Sequence, residues 1–130
     1  MKILVLHSAI AEDAPPEERD TLIAAHAVAD ALRREGHDAS EAPFTQERAG
    51  LGLLLEHTAP AIVFPLVEGI DGLGHLAPLA PRMLDALGMT YTGVAAEAMA
   101  ATNDKPLTKA RLRAAGLSTP DWSEPPGWDG

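Results

Sequence analysis

The chain has no cysteine, 4% aromatic residues, 10 basic side chains against 19 acidic ones, and no long apolar run. Without cysteine there is no disulfide framework and no thiol chemistry. With so few aromatics, the core must be filled by Leu, Val, Ile and Ala. A net charge of -9 with dispersed Lys and Arg excludes nucleic acid and anionic membranes as partners. No run approaches the ~18 residues of a membrane-spanning helix. The apolar start "ILVLHSAIA" is short and runs into acids, unlike a signal peptide, so a soluble, cytoplasmic protein is expected. A Walker phosphate loop is missing, and "GIDGLG" is not the G-x-G-x-x-G dinucleotide pattern. Ser8 and Ser118 lack a nucleophile elbow, and His7, His26, His37, His57 and His75 lack metal-ligand spacing. The sequence therefore predicts no metal site and no self-contained catalytic machinery.

What is present is an alternation of strands and helices in 130 residues, the size of one domain. "KILVLH" is an apolar run without polar alternation, as in a parallel strand covered on both faces. A helix follows over "PPEERDTLIAAHAVADALRREG", opened by Pro16, Glu17 and Glu18 and closed by Arg33, Arg34 and Gly36. Leu22, Ala25, Val28, Ala29 and Leu32 form its core-facing stripe. "HDASEA" reads as a weak edge strand, and "TQERAGLGLLLEH" (Thr45 to His57) as a helix weakened by Gly50 and Gly52, each costing about 1 kcal/mol relative to Ala. "AIVFPLV" is the next strand, with Pro65 limiting further pairing because it brings no amide hydrogen. "PLAPRMLDALG" is helical if Pro78 and Pro81 both fall at its start. "MTYTG" is a further short strand, "AAEAMAAT" a short helix, and "NDKPLTKARLRAAG" a final helix beginning at Asn103 or Asp104. The order predicts an α/β fold: a doubly wound parallel sheet of about four strands with helices on both faces. Residues 1–120 would form the domain, and the Pro- and Gly-rich stretch 121–130 a linker.

In such sheets ligands gather beyond the carboxyl ends of the strands. The segment "IVFPLVEGIDGLGHLAP" puts a loop there, with Glu68 and Asp71 as carboxylates and Gly69, Gly72 and Gly74 to let backbone turn and approach a ligand closely. The alternative is a tight strand-to-helix turn with solvated acids.

Four pieces bear on that choice: Glu68-Gly69, "LGMTYTG" (Leu87 to Gly93), "DKPLTK" (Asp104 to Lys109) and "GLSTPDW" (Gly116 to Trp122). In this order and spacing they resemble the N-terminal part of D-alanine–D-alanine ligases and related ATP-grasp carboxylate-amine ligases. The resemblance implies the Rossmann-like pre-ATP-grasp fold, a missing ATP-grasp domain in the same gene or a separate chain, and a cytoplasmic role in peptidoglycan biosynthesis. It also implies ATP and Mg2+ as cofactors of the complete enzyme, which activates a carboxylate as an acyl phosphate for attack by an amine. Glu68 and Gly69 match the edge of the pocket for an amino-acid-like substrate, and Lys105 matches a lysine that contacts ATP phosphates. No catalytic residue is assigned within the chain.

On physical grounds too, Lys105 at a helix start, beside free amide hydrogens, suits an anion. Lys109 is read as a helix-surface charge, and Tyr91, Thr92 and Gly93 as buttresses of a strand end. The link "HSAIAEDAPPEERD" departs from the family, which has a Gly-rich loop and a Ser-x-Glu segment there; Glu12, Asp13, Glu17 and Glu18 are the acids available to take the substrate amine. The substrate pair is left open. A free-standing, non-catalytic binding module of the same fold is the alternative function, and apolar surface left for a neighbouring domain would favour a homodimer. The expected arrangement sets Glu68 and Lys105 along one rim of the sheet.

Overall fold

The computed structural model describes residues 1–10 and 16–123. Glu12 and Asp13, the side chains of Glu17 and Glu18, and residues 124–130 of the expected linker lie outside the described residues.

Three parallel strands form the sheet: β1 (Lys2–His7), β2 (Asp38–Pro43) and β3 (Ile62–Leu66), in the order β2-β1-β3. The apolar run "KILVLH" takes the centre, with Leu4, Val5 and Leu6 completely buried. Successive strand side chains point to opposite faces, and the two core clusters divide accordingly. Leu4 and Leu6 pack with Leu51 and Leu55 of α2 (Arg48–Thr58) and with Met83 and Leu84 of α3 (Leu79–Ala86). Val5 packs instead with Ala25 and Ala29 of α1 (Pro16–Arg34). Two further helices, α4 (Ala96–Asn103) and α5 (Lys105–Ala114), complete the described chain.

The α/β class and the parallel sheet agree with the sequence reading, but the described sheet has three strands where about four were expected. "MTYTG" makes a single parallel bridge, Tyr91 opposite Val63, through Val63 N–H to Thr90 O (2.9 Å) and Thr92 N–H to Val63 O (3.0 Å). The next rung of a parallel ladder would need an amide hydrogen from residue 65. That residue is proline, so the ladder stops after one bridge.

The apolar stripe of α1 also differs at its start. Ala25 and Ala29 are buried and Val28 and Leu32 partly so, but Leu22 is 40% exposed. Thr21 beside it lines a cavity beyond the carboxyl ends of the strands, so this turn of α1 overhangs the sheet and Leu22 has little strand beneath it. Farther along, Arg33 holds α1 to β2 by donating to Ala39 O (2.9 Å) and pairing with Glu41 and Asp30 (2.9 Å each). Those partners, Glu41 first, raise the guanidinium pKa above its ordinary value. The prolines of α3 behave as required: Pro78 is the N-cap and Pro81 lies in the first turn, where amide hydrogens lack intrahelical acceptors.

Candidate functional site

β1 and β3 are neighbours in the sheet, while the chain leaves β1 to reach β2 on the other side. Loops from adjacent strands that depart in opposite directions leave a crevice between them. In that crevice lies an open cavity of about 260 Å³, lined by Ser8 and Ala9 after β1, Thr21 of α1, and Glu68, Gly69, Asp71, Gly72 and Gly74 after β3. It is smaller than the ~300–1,000 Å³ pockets of drug-sized ligands.

The loop after β3 is held from both ends. Ser8 is buried, donates its hydroxyl to Gly69 O (2.9 Å) and accepts from Glu68 N–H (3.2 Å). One hydroxyl thus ties the Glu68–Gly69 backbone to the end of β1. Beyond it, Ile70 and Leu73 exchange backbone hydrogen bonds (3.2 and 2.9 Å) around Asp71 and Gly72. Their φ angles, 52° and 75°, are both positive, as a type I′ turn requires. Asp71 accepts from Gln46 Nε2 (2.9 Å), which links this turn to the segment after β2. Val67 and Ile70 are buried in the core, so Glu68 between them is exposed toward the crevice while its neighbours anchor it.

Of the three loop glycines expected to give conformational freedom, only Gly72 has a φ that disfavours other residues. A Cβ on Gly69 would make ordinary contacts (3.4 Å to Leu73), and one on Gly74 would approach Glu68 O only to 3.8 Å.

Gly69 and Asp71 also line an adjoining cavity of about 480 Å³, whose other wall is Pro43 to Glu47. The loop therefore stands between two open spaces at the same end of the sheet.

Lys105 is exposed, is the first residue of α5, and does not line the smaller cavity. The helix before it, α4, is joined to the loop, because its last residue Asn103, two positions before Lys105, donates through Nδ2 to Gly74 O (3.2 Å). The expected free amides beside Lys105 are mostly absent. Pro106 has none, Leu107 N–H is taken by the Asp104 carboxylate (2.8 Å), and Thr108 N–H by Asp104 O (2.9 Å). Asp104 is an N-cap, and a carboxylate there already answers the positive end of the helix dipole. Beyond its own amide hydrogen, Lys105 has its ammonium to offer an anion.

Lys109 is more than a surface charge. It donates to Pro120 O (3.0 Å) and lies 5.6 Å from the ring centroid of Trp122; Arg113 lies 4.5 Å from the same ring and pairs with Asp121. Two cations over one indole fasten the segment after α5 back onto that helix. Tyr91 buttresses the end of its bridge, donating to Asp85 (3.0 Å). Burial, and then the bond to Asp85, raise its phenol pKa. His7 contacts Ser8 O (2.8 Å), and His75 is exposed in the 3-10 turn Gly74–Leu76. Among the described residues no three His, Asp or Glu side chains are placed to hold a metal ion.

The residue that sequence reasoning missed is Ser8, weighed only as a nucleophile. Its position just past the central strand was the available signal. Ser8→Ala strands the Gly69 carbonyl and Glu68 amide, and is expected to lower stability by about 1–3 kcal/mol in urea unfolding. A change below about 0.5 kcal/mol, typical of surface sites, would show that the loop is held by other means.

No family model matches the chain. Among curated proteins, it is similar to a D-alanine–D-alanine ligase of Anaplasma centrale, 33% identical over 83% of the chain and 50% of that protein. A D-alanine–D-alanine ligase of Moorella thermoacetica is 36% identical over 92% of the chain and 36% of the relative. For one of Gluconobacter oxydans the values are 31%, 90% and 36%. The chain thus spans half the length of the first of these relatives and 36% of the other two. The likeness to D-alanine–D-alanine ligases read from the sequence extends over most of the chain.

Proposed function

We propose that this chain is the N-terminal, amino-acid-binding domain of an ATP-dependent ligase that joins a carboxylate to an amine through an acyl phosphate. The observation that carries the reading is the crevice between β1 and β3, with Glu68 at its mouth, in a chain whose D-alanine–D-alanine ligase relatives extend well beyond it. In that role the Glu68 carboxylate accepts hydrogen bonds from the substrate ammonium, a charge-assisted pairing that strengthens as water is excluded. Ser8 fixes the Gly69 carbonyl, and Gly69 presents backbone without a side chain to block the approach.

ATP and Mg2+ would serve the complete enzyme, where the nucleotide supplies the phosphoryl group that activates the carboxylate. The donors described in this chain do not fit a Mg2+ site by themselves, and α5 offers few amide hydrogens to phosphate. The chain's own contribution to the nucleotide is the Lys105 ammonium, and the ATP-grasp region that grips the rest lies in the same gene or a separate chain. Cytoplasmic peptidoglycan synthesis is the setting that fits this chemistry.

Pure 130-residue chain is expected to show no ATP turnover above background, with or without D-alanine, in a phosphate-release assay. Robust ATPase activity of the chain alone would overturn the domain reading.

A further inference from the structure

The larger cavity beside the loop after β3 has no part in the contacts assigned so far. At about 480 Å³ it lies within the ~300–1,000 Å³ range of small-molecule sites. Ala9, Gly69 and Asp71 line it and the smaller crevice alike, and at Ala9 and Gly69 no bulky side chain divides the two spaces. Its lining separates by chemistry. Pro43, Phe44 and Ile70 supply an apolar part, and Phe44 and Ile70 are held in the core, 4% and 6% exposed. The charged lining residues are Glu47 and Asp71, both acidic. Asp71 accepts from Gln46 Nε2, a neutral donor that leaves its charge unbalanced. Glu47 is the N-cap of α2, but its carboxylate takes no hydrogen bond from the helix. Among the described residues no cation pairs with either acid.

We propose that this cavity receives the side chain of the amino acid whose ammonium meets Glu68, and that this side chain is a methylene stem ending in a second ammonium, as in lysine or ornithine. The inference rests on the reading of the crevice as an amino-acid site and names its substrate class. A single methyl would leave the larger cavity to water. Each methylene that is fully removed from water strengthens binding by about fourfold, and Pro43, Phe44 and Ile70 offer the surface for it. Charge decides the far end. A side-chain carboxylate would meet two like charges, and a wholly apolar chain would shield Glu47 and Asp71 from water without pairing them. A terminal ammonium pairs with Glu47 while its stem covers the apolar lining, the usual division of a long cationic side chain. The net charge of -9 favours the same choice. Glu68 and Glu47 then hold the two ends of one ligand from separate loops, after β3 and after β2.

Titration of the 15N-labelled 130-residue chain with free amino acids, followed by amide chemical shifts, tests it, and the spectrum reports whether each variant is folded. The ligands are lysine, norleucine, alanine and glutamate, each as the D and the L form at equal ionic strength. For one enantiomer, lysine is expected to bind about tenfold or more tightly than alanine. It should also bind about threefold more tightly than norleucine, which has the stem without the second ammonium. Shifts are expected at Thr45 to Glu47 as well as at Glu68 and Gly69, and glutamate should bind more weakly than alanine. Glu47→Gln is expected to abolish the advantage of lysine over norleucine, whereas Glu68→Gln is expected to weaken both ligands. The proposal is overturned if no amino acid binds, if lysine in either form binds no more tightly than norleucine or alanine, or if Glu47→Gln leaves its advantage intact. Alanine binding that depends on Glu68, without preference for lysine, would overturn this inference alone and keep the amino-acid reading of the crevice.

Discussion

Leu51→Ala is expected to destabilise the chain by about 2–5 kcal/mol, the range for a buried leucine that leaves a cavity. Leu53→Ala, two residues later in the same helix, should change stability by no more than about 0.5 kcal/mol. The contrast follows from rotation alone. Leu51 is fully buried in the cluster with Leu4, Leu6 and Leu84, while Leu53 is 67% exposed. Both substitutions place the same good helix former at an interior helical position, so propensity cannot separate them. Gly50, beside Leu51, is itself tightly placed. A Cβ there would come within 3.3 Å of Thr45 Cγ2, so the helix start is already close against the preceding segment. Matched urea titrations should show the difference as a change in midpoint with little change in slope. Equal losses at the two positions would mean that α2 is rotated relative to the sheet and that the core has been assigned to the wrong face.

The same contrast explains how far the sequence could be read. "KILVLH" and "AIVFPLV" announced strands because both lack alternation, the pattern of parallel strands covered on both faces, although in β3 only Val63 is completely buried. The ends of α1 were marked by proline, acids, arginines and glycine, all of which act within one turn. Leu22 was misassigned because helical spacing says which side of a helix it occupies but not where the sheet beneath ends. The expected fourth strand failed at a residue outside it: "MTYTG" has ordinary strand character, but its ladder needs an amide hydrogen that Pro65 lacks.

At the site, Glu68 was visible as an acid breaking an apolar run, whereas its tether to Ser8 joins residues 60 positions apart and leaves no local trace. The Asp71–Gly72 turn did have a local signal, since Asp-Gly between apolar residues favours a two-residue turn. The clamp of Lys109 and Arg113 on Trp122 did not, because Gly116 between them read as the end of the helix and Trp122 fell in the stretch read as linker.

In the ligase proposed for this chain, Lys105→Ala is expected to lower turnover by about 10- to 100-fold. A hydrogen bond to a charged group is worth about 1.5–3 kcal/mol, and each 1.36 kcal/mol of barrier is tenfold in rate. The alternative is a solvated lysine on a helix end, whose removal would change the rate little. Local geometry makes the experiment decisive, because the N-cap of α5 is Asp104 and its bond to Leu107 N–H does not involve the Lys105 side chain. The helix should therefore survive the substitution, and the variant's unfolding midpoint should stay near wild type. Arg111→Ala, on the same helix and also exposed, supplies the control for loss of one positive charge and should leave turnover nearly unchanged. Lys105→Arg should recover only part of the rate, since a planar fork does not reproduce a compact ammonium at a phosphate. Steady-state rates at saturating amino acid and varied ATP distinguish the outcomes. A fall in kcat/KM for ATP confined to the Lys105 variants supports contact with the nucleotide, whereas a rate equal to that of Arg111→Ala removes Lys105 from the proposed site and leaves the proposal to the crevice at Glu68.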